Sequence, residues 1–187
     1  QNHTLTGLST PLLPAHQAQN CSLAVTAALI MNESGLWHIT ESEIRSALQN
    51  AQVPGRYERL CSLPEIIYDP AHNISGITNL VSHLETNYNP QKLVMIISLM
   101  KDKATPELLA RLSSLSFPVI YLQLDDPRAF IPEPLFFSVT TDDPGVIIKR
   151  IRTDNTDRTY IFTGTFRNYT AALKIAAEIS SRSAGSL

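Results

Sequence analysis

Glu65-Ile66-Ile67-Tyr68-Asp69-Pro70-Ala71-His72-Asn73 decides how this chain folds. A short apolar run delivers an acid, a histidine and an asparagine, and helical spacing begins at Ile74. That is the pattern of strand, turn and helix entrance. In an open α/β sheet such a junction builds a polar site. The carboxyl edge of a strand and the amino end of a helix meet there, leaving N–H groups and side chains aimed outward. Just upstream, Pro54-Gly55-Arg56-Tyr57-Glu58 adds an arginine on a turn.

Outward from this junction the chain alternates β-branched runs with helical stretches. Strands are expected at residues 65–68, 93–99, 119–124, 136–140 and 159–163. Helices are expected at 74–85, 106–115, 146–150 and 169–181. Thr105 can cap the second of these and Pro106 suits its first turn, while Asn73 is placed to cap the first. Such alternation argues for βαβ units. The expected class is α/β, Rossmann-like, with a mostly parallel sheet flanked by helices on both faces. Residues 1–53 instead read as helical. Apolar residues recur over 17–31, with Leu23, Ala24, Ala27, Ala28 and Met31 on one face, and Thr40 with Glu43 forms a capping-box pattern before a helix to about Asn50. A boundary is expected near Val53 to Arg56, giving a helical segment over 1–53 and an α/β domain over 54–187. The Ser/Gly-containing tail from Ser180 is expected to fray.

The 187 residues are enough for an ordinary domain with a real core. An apolar fraction of 43% and a charged fraction of 17% belong to a globular protein. A formal net charge of -2 offers no footprint for nucleic acid or an anionic membrane. The longest apolar runs fall far short of the roughly 20 residues that cross a bilayer. Nucleic acid and membrane are therefore not expected partners. With no secretory leader, a cytoplasmic monomer is expected, and a start at Gln1 without methionine suggests an excised piece of a larger protein. Cys21 and Cys61 lack disulfide-scaffold or metal-ligand spacing and are expected as reduced thiols. The Asn-x-Ser/Thr triplets at Asn2, Asn20, Asn32, Asn73 and Asn168 are read as chance. Neither a Gly-x-x-x-x-Gly-Lys-Ser/Thr loop nor a Gly-x-Gly-x-x-Gly turn occurs.

Asp69 ends a strand, where a carboxylate can accept both hydroxyls of a ribose or simply cap the turn that follows. His72, at the helix entrance, can hydrogen-bond a nucleotide, orient a substrate carboxylate, or pack neutral beneath a loop. Arg56 follows Pro-Gly, where a turn can hold it out for bidentate contact with phosphate. Glu58 either orients Arg56 or is a surface acid. The Asn20 amide can read a base edge through its paired donor and acceptor, though taken alone it is an ordinary polar residue on an amphipathic helix. His16 and Gln17 open the same helix and suit a hinge. Asp102-Lys103 borders the cleft and reads equally as a surface ion pair. No metal-ligating set is expected.

Pro54-Gly55-Arg56-x-Glu58 followed by Asp69-x-Ala71-His72-Asn73 resembles the carboxy-terminal domain of folylpolyglutamate synthase and dihydrofolate synthase, in the Mur ligase superfamily. Ala15-His16-Gln17-Ala18-Gln19-Asn20-Cys21-Ser22-Leu23-Ala24 is similar to that family's Gly-x-His-Gln-x-x-Asn-x-x-x-Ala stretch. Asp102-Lys103, Pro127-Arg128-Ala129 and Thr163-Gly164-Thr165 follow in the family's order, so the resemblance covers most of the chain. It implies an ATP-dependent ligase in which dihydropteroate or a folate is phosphorylated to an acyl phosphate and the amine of L-glutamate displaces the phosphate. It implies Arg56 at the terminal phosphate, Asp69 at the ribose, Asn20 at adenine, and His72 at the nucleotide or the glutamate. Mg2+ and the phosphate loop are implied for a missing amino-terminal domain, of which residues 1–53 would be the helical end or hinge. This chain alone would then be inactive. Another Mur-type amide ligase, for cyanophycin or a peptidoglycan precursor, and a non-catalytic interaction module are the alternatives. Pro70 stands where the family has glycine, fixing φ and removing a donor. Ala15 and Ser98 also replace common glycines, which would narrow close-contact sites.

Overall fold

Leu93-Val94-Met95-Ile96-Ile97 is buried at every position, which a strand achieves only when both faces of its sheet are covered. The computed structural model describes residues 4–133, 136–154 and 157–183. The chain divides into two units, Gln1–Pro54 and Gly55–Leu187. The first holds helices α1 (Gln17–Glu33) and α2 (Glu41–Gln49). The second holds α3 (Ile74–Asn87), α4 (Pro106–Ser113), α5 (Pro144–Thr153) and α6 (Tyr169–Ser183). Its strands are β1 (Glu58–Ser62), β2 (Glu65–Tyr68), β3 (Leu93–Ile97), β4 (Val119–Leu122), β5 (Val139–Thr141) and β6 (Thr159–Thr163).

These strands form one sheet in the order β1-β2-β6-β3-β4-β5. β1 runs antiparallel to β2, and every other neighbouring pair is parallel. Side chains alternate along each strand, so the sheet feeds two cores. Leu93, Met95, Ile97 and Ile161 meet Ile77, Leu80, Val81 and Leu84 of α3 and Leu108 and Leu112 of α4. Val94, Ile96, Tyr160 and Phe162 meet Ile147 and Ile151 of α5 and Ala172, Ile175 and Ile179 of α6. The mostly parallel α/β class is thus what the chain adopts.

This topology places a crevice. β2 and β6 are parallel neighbours, yet the loop after β2 leads to α3 on one face and the loop after β6 leads to α6 on the other. Ligands of open α/β sheets bind where connections diverge in this way, at the carboxyl ends of the strands. The two loops are also tied together. Gly164 and Thr163 both donate to the Ala71 carbonyl, from N at 2.8 Å and from Oγ1 at 3.0 Å. Gly164 has φ +101°, and a Cβ there would lie 2.1 Å from the Ser98 carbonyl oxygen, so only glycine fits.

Several expectations are corrected. β1 was not anticipated, because a bulge between Arg59 and Cys61 breaks its period-two pattern and much of the strand is not buried. β3 and β4 stop two residues short of the expected ends, and β5 lies at Val139–Thr141 rather than at 136–140. α5 is longer than 146–150 because Asp143 accepts the Gly145 N–H and Pro144 fills the first turn, the same signal that marks Thr105-Pro106. Along α1 the residues buried are Gln17 and Val25, whereas Leu23 is 71% exposed and Ala24 and Ala27 are also exposed. Apolar side chains surround this helix, so no single stripe is selected. Ser98 narrows no cleft. It is fully buried and donates its hydroxyl to the Leu122 carbonyl at 2.7 Å, and Ala15 is exposed. α6 continues to Ser183, and the rest of the expected fraying tail, like the Asn2 triplet, lies outside the described residues. Asn168 is fully buried, and both cysteines are free.

Candidate functional site

The Gly55–Glu58 turn is built to present Arg56. Gly55 has φ +69°, and a Cβ there would meet the Phe166 ring at 2.9 Å. Tyr57 has φ +44°, the one positive value at a non-glycine among the described residues, a conformation that costs on the order of 1 kcal/mol or more. Three side chains, Glu58, Asp69 and Tyr57, hold this strained turn. Glu58 Oε2 accepts the Gly55 N–H at 2.6 Å and the Tyr169 hydroxyl at 2.6 Å. Asp69 Oδ2 accepts the Tyr57 N–H at 3.1 Å. The Tyr57 ring meets the edge of His83 at 4.8 Å between centroids, and its hydroxyl donates to Tyr88. Arg56 is left exposed between two pinned neighbours, so Glu58 acts on the turn and is not an idle surface acid.

Asp69 is only 4% exposed, and its other oxygen accepts the Ala71 N–H at 3.0 Å. The carboxylate therefore organises both the arginine turn and the turn into α3. His72 is exposed at the entrance to α3, with Nδ1 2.8 Å from the Pro70 carbonyl oxygen. A carbonyl only accepts, so Nδ1 carries the proton and Nε2 remains as the acceptor in the neutral ring. Asn73 caps α3, accepting the Gly76 N–H at 2.8 Å.

Arg56, Pro70 and His72 line a cleft of about 390 Å³ with Met100, Asp102, Lys103, Arg128, Gly164, Thr165, Phe166 and Arg167. Four cationic side chains face one carboxylate there, a setting suited to an anionic ligand. Lys103 and Asp102 pair at 3.1 Å, and both are well exposed. Arg128 and Arg167 were not anticipated as site residues. Asp126, whose side chain is 8% exposed, gathers them: Oδ1 accepts the Arg128 N–H at 2.8 Å and Oδ2 accepts from the Arg167 guanidinium. The Arg128 N–H, reinforced by the charges of Arg167 and Arg128, holds this carboxyl below its ordinary range. Pro127-Arg128-Ala129 and the turn at Thr163-Gly164-Thr165 were the signals available for the two arginines.

Asn20 belongs to the first unit. It is exposed, and Nδ2 donates to Gln17 Oε1 at 2.8 Å, while Gln17 is buried with Nε2 3.3 Å from His16 Nε2. The three side chains form one polar chain at the start of α1. Among the described residues no group of three or more His, Cys, Asp or Glu is placed to hold a metal ion, and no helix is long and apolar enough to cross a membrane.

No family model matches the chain. It is 29% identical over 150 residues to the dihydrofolate synthase/folylpolyglutamate synthase of Bacillus subtilis strain 168, covering 77% of this chain and 35% of that protein. A second such synthase, from Mycobacterium tuberculosis, is 30% identical over 126 residues, 67% of this chain and 26% of that one. The chain is homologous to folylpolyglutamate and dihydrofolate synthases. It spans about a third of the length of the curated relatives it matches. These synthases also supply the fold match. Escherichia coli FolC in complex with ADP superposes over 96% of this chain and 42% of its own, with TM-score 0.71 and 22% identity. The Yersinia pestis enzyme complexed with AMPPNP and a manganese ion gives TM-score 0.68 at 23% identity over the same shares.

Proposed function

We propose that this chain is the carboxy-terminal part of a cytoplasmic, ATP-dependent ligase that joins L-glutamate to dihydropteroate or a folate. The observation that carries the reading is the cationic cleft at the carboxyl ends of β2, β3 and β6, in a chain homologous to synthases of that kind. ADP and AMPPNP in the related structures support nucleotide as the ligand. On this reading residues 54–187 are the Mur-ligase-like domain, and residues 1–53 are the helical end of a preceding ATPase domain or its hinge. The exposed apolar residues of α1 support that assignment, since Leu23 and Ile30 would be covered by the rest of a larger domain.

In this scheme Arg56 contacts the terminal phosphate and stabilises the charge that spreads over it during transfer to the acceptor carboxylate. The pinned turn matters because a fixed backbone on either side of Arg56 lessens the reorganisation needed when that charge develops. Nε2 of His72 accepts a hydrogen bond from the nucleotide or the incoming glutamate. Asn20 serves adenine, and Asp69 lies on the ribose side of the nucleotide. A divalent ion accompanies ATP in such chemistry. On this reading Mg2+ is bound mainly by the amino-terminal domain that carries the phosphate loop.

The test is glutamate-dependent ADP release by the full-length protein, with dihydropteroate and tetrahydrofolate offered separately. Release with either acceptor is expected, and Arg56→Ala should lower turnover by about 10²-fold or more. Silence with both acceptors would move the reading to another Mur-type ligase or to a binding module.

A further inference from the structure

Asp69 is a charged side chain with almost no exposed surface, and both of its oxygens already accept backbone N–H groups. One of those donors belongs to Tyr57, the described non-glycine residue with positive φ, which directly follows Arg56. A ribose diol would have to share a carboxylate that is buried and committed to two turns. We propose that Asp69 is the positioning residue for Arg56: by accepting the Tyr57 N–H it fixes the 55–58 turn in the shape that carries the guanidinium to the cleft. What Arg56 touches rests on the ligase reading, whereas the hydrogen bond that holds its turn does not.

The chemistry explains why an acid is required here. A carboxylate is the one side chain that accepts at both oxygens without carrying a competing donor. Asparagine keeps the shape but presents an amide to one of the two N–H groups, so one turn is released. The charge also strengthens each bond in this dry position. Glu58 secures the front of the turn through Gly55 and Tyr169, so loss of Asp69 frees its back while leaving the sheet intact.

The experiment is a double-mutant cycle in the full-length protein, with Asp69→Asn and Asp69→Ala each made with Arg56 present and with Arg56→Ala. KM and kcat are measured with ATP and with 2′,3′-dideoxy-ATP. Each Asp69 variant is expected to weaken use of both nucleotides by the same factor, about tenfold, and to add less than about twofold once Arg56 is gone. An Asp69 variant that erases a preference for ATP over the dideoxy nucleotide, or that costs as much without Arg56 as with it, would overturn the proposal in favour of ribose contact. Hydrogen exchange gives a readout independent of activity. In Asp69→Ala, which removes both acceptors, the Tyr57 amide should exchange much faster while Val94 and Ile96 stay protected, and unchanged Tyr57 protection would sink the idea. A protein inactive with every acceptor would defeat the ligase reading, and the exchange result would still decide the role of Asp69.

Discussion

α1 and α3 are helices of 17 and 14 residues, yet α1 buries two residues and α3 buries four. The four on α3 are Ile77, Leu80, Val81 and Leu84, a stripe at helical spacing that meets the sheet. The two on α1 are a glutamine and a valine, while Leu23 and Ile30 face outward. Composition alone does not separate these helices, since both are apolar. What separates them is a surface to pack against. The Gly55–Leu187 unit contains both layers of each of its cores, and the Gln1–Pro54 unit relies on local devices such as the Thr40–Glu43 capping box.

The largest effect should come from Gly164→Ala. A Cβ at that position runs into the Ser98 carbonyl where β3 and β6 end, and the expected loss is about 4 kcal/mol or more by urea denaturation. A near-normal midpoint would show that the second unit is looser than its packing implies. Leu80→Ala should follow, at about 2–5 kcal/mol, because it opens a cavity in the core under α3. In the first unit, Thr40→Ala removes one half of the capping box and should cost about 1 kcal/mol, read from the loss of helical circular dichroism on heating. A smaller, pH-dependent effect belongs to Tyr169. Its hydrogen bond to Glu58, with burial and charge adding, pushes the phenol from 10.0 up to about 12. The stability it lends the Arg56 turn is complete below pH 10 and fades as pH rises to about 12, and Tyr169→Phe should lessen the alkaline fall in melting temperature, the rest of which belongs to the other buried tyrosines. Leu23→Ala should change stability least, within about 0.5 kcal/mol. A larger loss would mean that α1 packs more of its apolar surface than its exposure suggests.

The readable parts of the fold were those where one local rule decides the outcome. Asn73, Thr105 and Thr40 cap their helices as their side-chain chemistry dictates, and the continuous apolar runs of β2 and β6 could only be buried strands. β1 was not readable, because a bulged edge strand has neither alternation nor a continuous apolar run. The α1 face misled because periodicity shows which residues could share a stripe and not whether anything lies opposite. At the site, Arg56 and His72 announced themselves through the turns that hold them. Asp126 did not, since its importance lies in collecting Arg128 and Arg167 from segments about forty residues apart.

The two edges of the sheet bear on how this protein behaves when crowded. A flat, open edge strand is a template on which another copy can add a strand, the first step towards aggregates. β1 carries the charged pair Glu58 and Arg59 and then kinks at its bulge, so its outer hydrogen-bonding groups do not line up into a long receptive row. At the opposite edge β5 is three residues long, too short to seed pairing. The irregular strand that hid itself from sequence reading is thus also the one that discourages copies of the sheet from joining edge to edge.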